Sequence, residues 1–91
     1  SNLAAAVQLG TQAVYVKAAY WSSYAGGILD IASCTGTVQI DHNVLLTGIT
    51  TDFHWRAKNS WGTSWGESGY ITIHQTNNCG MTQYNGYRTV I

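Results

Sequence analysis

Two alternating runs flank a short break between His42 and Asn59, and they constrain the fold more than any other part of this chain. In the first, the even positions His42, Val44, Leu46 and Gly48 share one face. In the second, the odd positions Phe53, Trp55, Ala57 and Asn59 share one, leaving His54, Arg56 and Lys58 opposite. Side chains alternate faces along a strand, so each run predicts a half-buried strand. Only Thr50, Thr51 and Asp52 lie near the bend, which predicts an antiparallel hairpin. Joining the two apolar faces requires even residues opposite odd ones. A turn centred near Thr50-Thr51 pairs His42 with Asn59, Val44 with Ala57 and Leu46 with Trp55; one allowed slip puts His42 opposite Trp61. In either register His42 and Asn59 share a face, within hydrogen-bonding reach.

The rest of the chain adds shorter elements. Ser1 and Asn2 are good N-cap types, Leu3 to Leu9 is alanine-rich, and Gly10 can end a short helix. Ala13 to Ala19 reads as a strand, whereas Tyr20 to Tyr24 fits neither periodicity. Gly26-Gly27 breaks the chain before the apolar pair Ile28-Leu29, and residues 32–37 read as loop. Tyr70 to His74 is a further strand, Asn77-Asn78 a turn, and the tail, broken by Gly86, ends in a short strand at Tyr87 to Val90. Residues 1–91 read as a single α+β domain, a small antiparallel sheet or partial barrel with one helix. His54 and His74 are expected to face solvent, and Phe53 and Trp55 to join the core.

Composition excludes several classes. Hydrophobic residues make up 45% of the chain and charged residues 9%, with formal net charge zero. No basic stripe is present, so nucleic acid is not an expected partner. No apolar run approaches the roughly 18 residues of a membrane span, and Ser1 to Ala6 lacks the charged flank of a leader. Two cysteines, Cys34 and Cys79, allow either one disulfide or two unpaired thiols, one or both buried. No ligand spacing among the cysteines and histidines supports a metal site.

Beyond the hairpin, Lys58-Asn59-Ser60-Trp61-Gly62-Thr63-Ser64-Trp65-Gly66-Glu67-Ser68-Gly69-Tyr70-Ile71 packs two tryptophans and three loop glycines after the polar pair Asn59-Ser60. Such a loop makes a shaped surface rather than a plain turn. A lone strand histidine is more often structural than catalytic. Beside an asparagine, however, an imidazole has its tautomer fixed by the side-chain carbonyl without gaining a negative neighbour. That suits a thiolate–imidazolium pair, in which the histidine charge lowers a cysteine pKa. Asp41 reads equally as a tuner of the histidine and as a solvated strand-end acid.

These residues resemble the C-terminal half of papain-like cysteine proteases, the cathepsin and plant-protease group. The matching segments are Tyr24-Ala25-Gly26-Gly27-Ile28, Asp41-His42-Asn43-Val44-Leu45-Leu46, Trp55 to Gly62, Trp65 to Ile71, Cys79-Gly80-Met81 and Tyr87-Arg88-Thr89-Val90. They keep the family's order from about Leu3 to Val90, with Asn-Ser-Trp-Gly the most specific block and the first 25 residues the weakest.

The resemblance implies the barrel-like, β-rich half of a two-domain fold. It casts His42 as the catalytic imidazole, Asn59 as its orienting partner, Trp61 as the indole shielding their hydrogen bond and Trp65 as a cleft-lining aromatic. It pairs Cys34 with Cys79 in a disulfide and places Ile40, Asp41, Asn43 and Tyr84 at the substrate. Tyr84 stands where a smaller or acidic pocket floor is common, and Asn43 replaces a small residue, which together imply a shallow pocket with a polar wall.

The family's nucleophilic cysteine and oxyanion-hole glutamine have no counterpart here. The chain is therefore expected to be the light chain of a two-chain thiol protease. A heavy chain would carry those groups, with peptide or protein substrates, protein inhibitors or a propeptide as further partners. No cofactor is implied, and the compartment is lysosomal, vacuolar or extracellular. The alternative is a non-catalytic homologue, a binding or structural protein whose partner has lost the nucleophile. A carbohydrate-binding domain, suggested by the aromatic content alone, leaves the Asp-His and Asn-Ser-Trp-Gly blocks unexplained.

Overall fold

A computed structural model describes residues 2–34, 39–81 and 88–89. One helix, α1 (Asn2–Leu9), precedes six strands: β1 (Gln12–Val16), β2 (Ile28–Leu29), β3 (His42–Ile49), β4 (Trp55–Lys58), β5 (Tyr70–Ile73) and β6 (Arg88–Thr89). They form one sheet in the order β2-β5-β4-β3-β1-β6, antiparallel except for the parallel β2–β5 pair.

The alanine run favours helix, and Leu3 and Val7, one turn apart, turn inward while Leu9 points out. The buried Gln12 side chain donates from Nε2 to the carbonyls of Ala6 (2.9 Å) and Gly10 (3.1 Å), satisfying acceptors at the helix end. Val14, Val16, Val44, Leu46, Ala57, Ile71 and Ile73 complete the inner face of the sheet. Each large aliphatic buried there contributes roughly 1.5–3 kcal/mol.

The sheet does not close, which corrects the barrel-like expectation. β2 and β6 end the strand order on opposite sides, and each is only two residues long. Closure requires the two edges to meet in a staggered register. Here the inner face is instead covered by α1 and by Trp21, Tyr24 and the disulfide, which pack into the same core.

The β3–β4 ladder combines the slipped register with an irregularity. Leu45 faces Lys58 and Leu46 faces Ala57, but beyond Leu46 the pairs become Gly48 with Arg56 and Ile49 with Trp55. Thr47 is the extra residue of a bulge, and its hydroxyl donates to the Arg56 carbonyl at 3.1 Å. Ile49 rather than Gly48 therefore joins Trp55 on the core side.

The expectation for Phe53 is also corrected. It sits in the turn at φ 66° and is 72% exposed, its N–H donating to the Thr50 carbonyl at 2.9 Å. His54 and His74 are half-buried rather than solvent-facing, with ring centroids 5.2 Å apart. Their Nδ1 atoms accept the N–H groups of Gln75 (3.2 Å) and of Thr76 and Asn77 (3.1 Å each), closing the turn after β5.

Candidate active site

His42 is the first residue of β3, at the end of the sheet's inner face, where it faces Val16 of β1. Asn59 follows β4 directly, and its N–H continues the ladder by donating to the Gly69 carbonyl at 2.9 Å. The two side chains meet: His42 Nε2 and Asn59 Oδ1 are 2.8 Å apart. A second contact decides the proton. The Ser60 N–H donates to the same Asn59 oxygen at 2.8 Å, and only the amide oxygen can accept it. This settles the amide orientation, so His42 Nε2 carries the hydrogen and donates it. Nδ1 is then the nitrogen free to take up or release a proton.

Aromatic rings enclose the imidazole. Trp61 stacks on it with centroids 5.4 Å apart and planes 28° apart, and is itself 41% exposed. Trp21, fully buried, meets the imidazole edge-on at 6.2 Å and 89°. Trp65 stacks on Trp21 at 6.1 Å and stands edge-on to Trp61 at 5.2 Å. Its Nε1–H donates to the Trp21 carbonyl at 2.8 Å. Asn59 is 6% exposed, so the His–Asn hydrogen bond lies under an aromatic roof that limits competition from water. Among the described residues, Asn59 Nδ2 and Trp21 Nε1 are buried donors without a partner.

Trp21 was not legible as a site residue because the segment from Tyr20 to Tyr24 carries no periodicity. The available signal was large aromatics beside Gly26-Gly27, the same composition that marked the Trp-Gly loop.

Ile40, Asp41, His42, Asn43 and Tyr15 line a shallow groove of about 270 Å³. Asn43 also borders a second groove of about 350 Å³ with Ala13, Leu45, Lys58, Asn59 and Ser60. Asp41 Oδ1 accepts the Ala18 N–H at 2.9 Å, so the carboxylate anchors the loop after β1. Tyr84 lies outside the described residues. Cys34 and Cys79 are joined in a disulfide. The sequence has no other cysteine, and neither sulfur is a free thiol. Among the described residues no three His, Cys, Asp or Glu side chains group as metal ligands would, and no helix is long and apolar enough to cross a membrane.

The family model for papain family cysteine proteases matches residues 1–89. The chain belongs to that family. It is 40% identical over 80 residues to cathepsin L 2 of Paramecium tetraurelia, covering 88% of this chain and 24% of that protein. A cysteine proteinase of Trypanosoma brucei brucei is 46% identical over 78 residues, covering 81% of this chain and 17% of that protein. Among solved structures, a cysteine protease of Carica candamarcensis superposes with TM-score 0.74 at 35% identity, over 87% of this chain and 38% of that one. The bromelain protease of Ananas comosus gives TM-score 0.71 at 30% identity, over 87% and 40%. Both were solved in complex with the inhibitor E-64.

This papain-family chain spans about a quarter of the length of the cathepsin L relatives it matches. It therefore holds part of a peptidase domain: a histidine with a hydrogen-bonded asparagine and a structural disulfide, without a free cysteine.

Proposed function

We propose that this chain is the C-terminal, light-chain part of a cysteine endopeptidase, supplying a catalytic imidazole to a thiol carried by a heavy chain. The observation that carries the reading is the doubly anchored Asn59 oxygen. It keeps the proton on Nε2 and leaves Nδ1 to exchange one. In the resting pair, the imidazolium at Nδ1 stabilises the thiolate and lowers its pKa. The thiolate attacks the scissile carbonyl, and His42 Nδ1–H protonates the leaving amine. A water then loses its proton to Nδ1 as it releases the acyl group. Asn59 adds no charge, so the ion pair is not biased toward a neutral thiol by a competing carboxylate. Trp61 shields the Nε2–H bond, and Trp65 lines the leaving-group side.

Peptide segments are the substrates of this reading, with Asp41 beside the substrate and Ile40, Asn43 and Tyr84 at the pocket for the residue second before the scissile bond. A profile of cleaved peptides is expected to disfavour large aromatics at that position; a preference for them contradicts the assignment. The groove of about 350 Å³ offers exposed Leu45 and Lys58 to the heavy chain. The disulfide fits a lysosomal, vacuolar or extracellular setting.

Asn59→Ala tests the orienting role. It removes the acceptor while leaving His42 in place, so kcat is expected to fall about 10- to 100-fold with a narrowed pH–rate profile. Unchanged kcat and profile in a folded Asn59→Ala variant would remove the basis of the proposal. The residue facing His42 Nδ1 across the cleft supplies a second discriminator: cysteine supports the hydrolase, whereas serine or glycine points to a non-catalytic homologue.

A further inference from the structure

His42 sits between two loops. Residues 17–27 carry Trp21, and residues 59–69 carry Asn59, Trp61 and Trp65; rings from both touch the imidazole. The separation of these loops therefore sets the space in which the ring lies. One tie across the gap is the Trp65 Nε1–H bond to the Trp21 carbonyl. The other is Glu67. Its Oε2 accepts the Gly27 N–H at 3.2 Å, while Oε1 receives the Arg56 guanidinium from β4 and the Thr72 hydroxyl from β5, the latter at 3.2 Å. Arg56 also donates to the Thr72 hydroxyl at 2.9 Å and lies over the Tyr70 ring, 5.0 Å from its centre. The Thr72 N–H donates to the Tyr24 hydroxyl at 3.2 Å, which donates onward to the Gly27 carbonyl at 2.6 Å.

The backbone beneath this carboxylate packs closely on its neighbours. Glu67 and Tyr70 exchange backbone hydrogen bonds of 2.9 and 3.0 Å. Gly66, between Trp65 and Glu67, has φ 58°, and a Cβ there would stand 2.6 Å from the Tyr70 carbonyl and 3.0 Å from the Tyr24 ring. Gly66 thus has no room for a side chain, and the close approach of the Trp65–Glu67 turn to Tyr70 and the Tyr24 ring depends on glycine there.

We propose that Glu67 is a positioning residue for the His42 site: its carboxylate ties the Trp21 loop and the Trp61–Trp65 loop to the sheet at the separation that seats the imidazole between them. The kinetic consequence rests on the hydrolase reading; the structural one does not. The groups facing the carboxylate are the Arg56 guanidinium and the Tyr24 phenol. Partial burial pushes the Glu67 carboxyl up, but hydrogen bonds from the Gly27 N–H, Arg56 and Thr72 outweigh it and leave its pKa lowered. The tie is complete above the ordinary carboxylate range and is lost as pH falls through that lowered pKa.

The test compares wild type with Glu67→Gln in the intact protein. Peptide hydrolysis is expressed per thiol titrated with an epoxide inhibitor, and tryptophan emission is quenched with acrylamide. Glu67→Gln keeps the side-chain shape and is expected to lower kcat per titrated site about tenfold with KM within about twofold. It is also expected to raise quenching at neutral pH, with wild type approaching the variant in acid. Wild-type kcat per titrated site with only a lower unfolding midpoint would assign Glu67 a merely structural role and overturn the proposal. Should wild type titrate no thiol, the hydrolase reading fails, and quenching still decides: equal quenching in the two proteins overturns the tie.

Discussion

His42→Ala in the intact protein is expected to reduce peptide hydrolysis at least about 10³-fold, because in the proposed reading one substitution removes both the partner of the thiolate and the donor to the leaving amine. The loss should lie in kcat, since a small half-buried ring at the end of a strand contributes little to holding a peptide. Stability should fall by about 1–3 kcal/mol, the combined worth of the ring contacts with Trp61 and Trp21 and the hydrogen bond to Asn59. Asn59 keeps its Ser60 N–H partner in the variant, so no new buried acceptor is stranded. Steady-state kinetics with a chemical-denaturation curve separates the two effects. Loss of activity accompanied by collapse of the fold would make His42 a structural residue.

Replacing both cysteines by alanine has the largest expected effect on stability. The bond closes a separation of 45 residues, and in the chain-entropy model that constraint is worth about 4 kcal/mol. Both cysteines are fully buried, so alanine also leaves a small void. The consequence reaches the site. The Cys79 carbonyl accepts the Lys17 N–H at 2.7 Å and the Cys79 N–H donates to Cys34 at 2.8 Å. The bond therefore holds down the start of the loop that carries Trp21. Urea denaturation of Cys34→Ala/Cys79→Ala is expected to show the full loss with a steeper slope, because the unfolded chain without the cross-link exposes more surface. Activity should fall as the Trp21 loop loosens. A change below about 1 kcal/mol would mean that packing alone holds this end of the fold.

Much of the site geometry was legible because strand periodicity is strict. An even residue on β3 and an odd residue after β4 must share a face once the apolar sets are matched, and His42 and Asn59 do. The register was narrowed only to two choices, since turn length and bulge position decide between them. The bulge at Thr47 shifts the ladder by one residue and exchanges Gly48 for Ile49 on the inner side. Nothing in the local pattern distinguishes it from a regular strand. Phe53 misled because its hydrophobicity continued the alternation, whereas the turn needs a left-handed residue at that point.

Contacts distant in sequence were less visible. The parallel pairing of Ile28 with Thr72 joins a two-residue strand to one more than forty positions away, beyond any local periodicity. Trp21 and Glu67 make loop-to-loop contacts that are equally distant in sequence. The open sheet follows from short edge strands and a helix-covered face, which the count of strands alone does not distinguish from a barrel.

Labelling the intact protein with an epoxide-type thiol inhibitor, followed by mass mapping of the adduct, tests the central claim most directly. The account predicts one adduct, on a cysteine outside these 91 residues, lost in His42→Ala. An adduct on Cys34 or Cys79, or none on the wild-type protein, would contradict it.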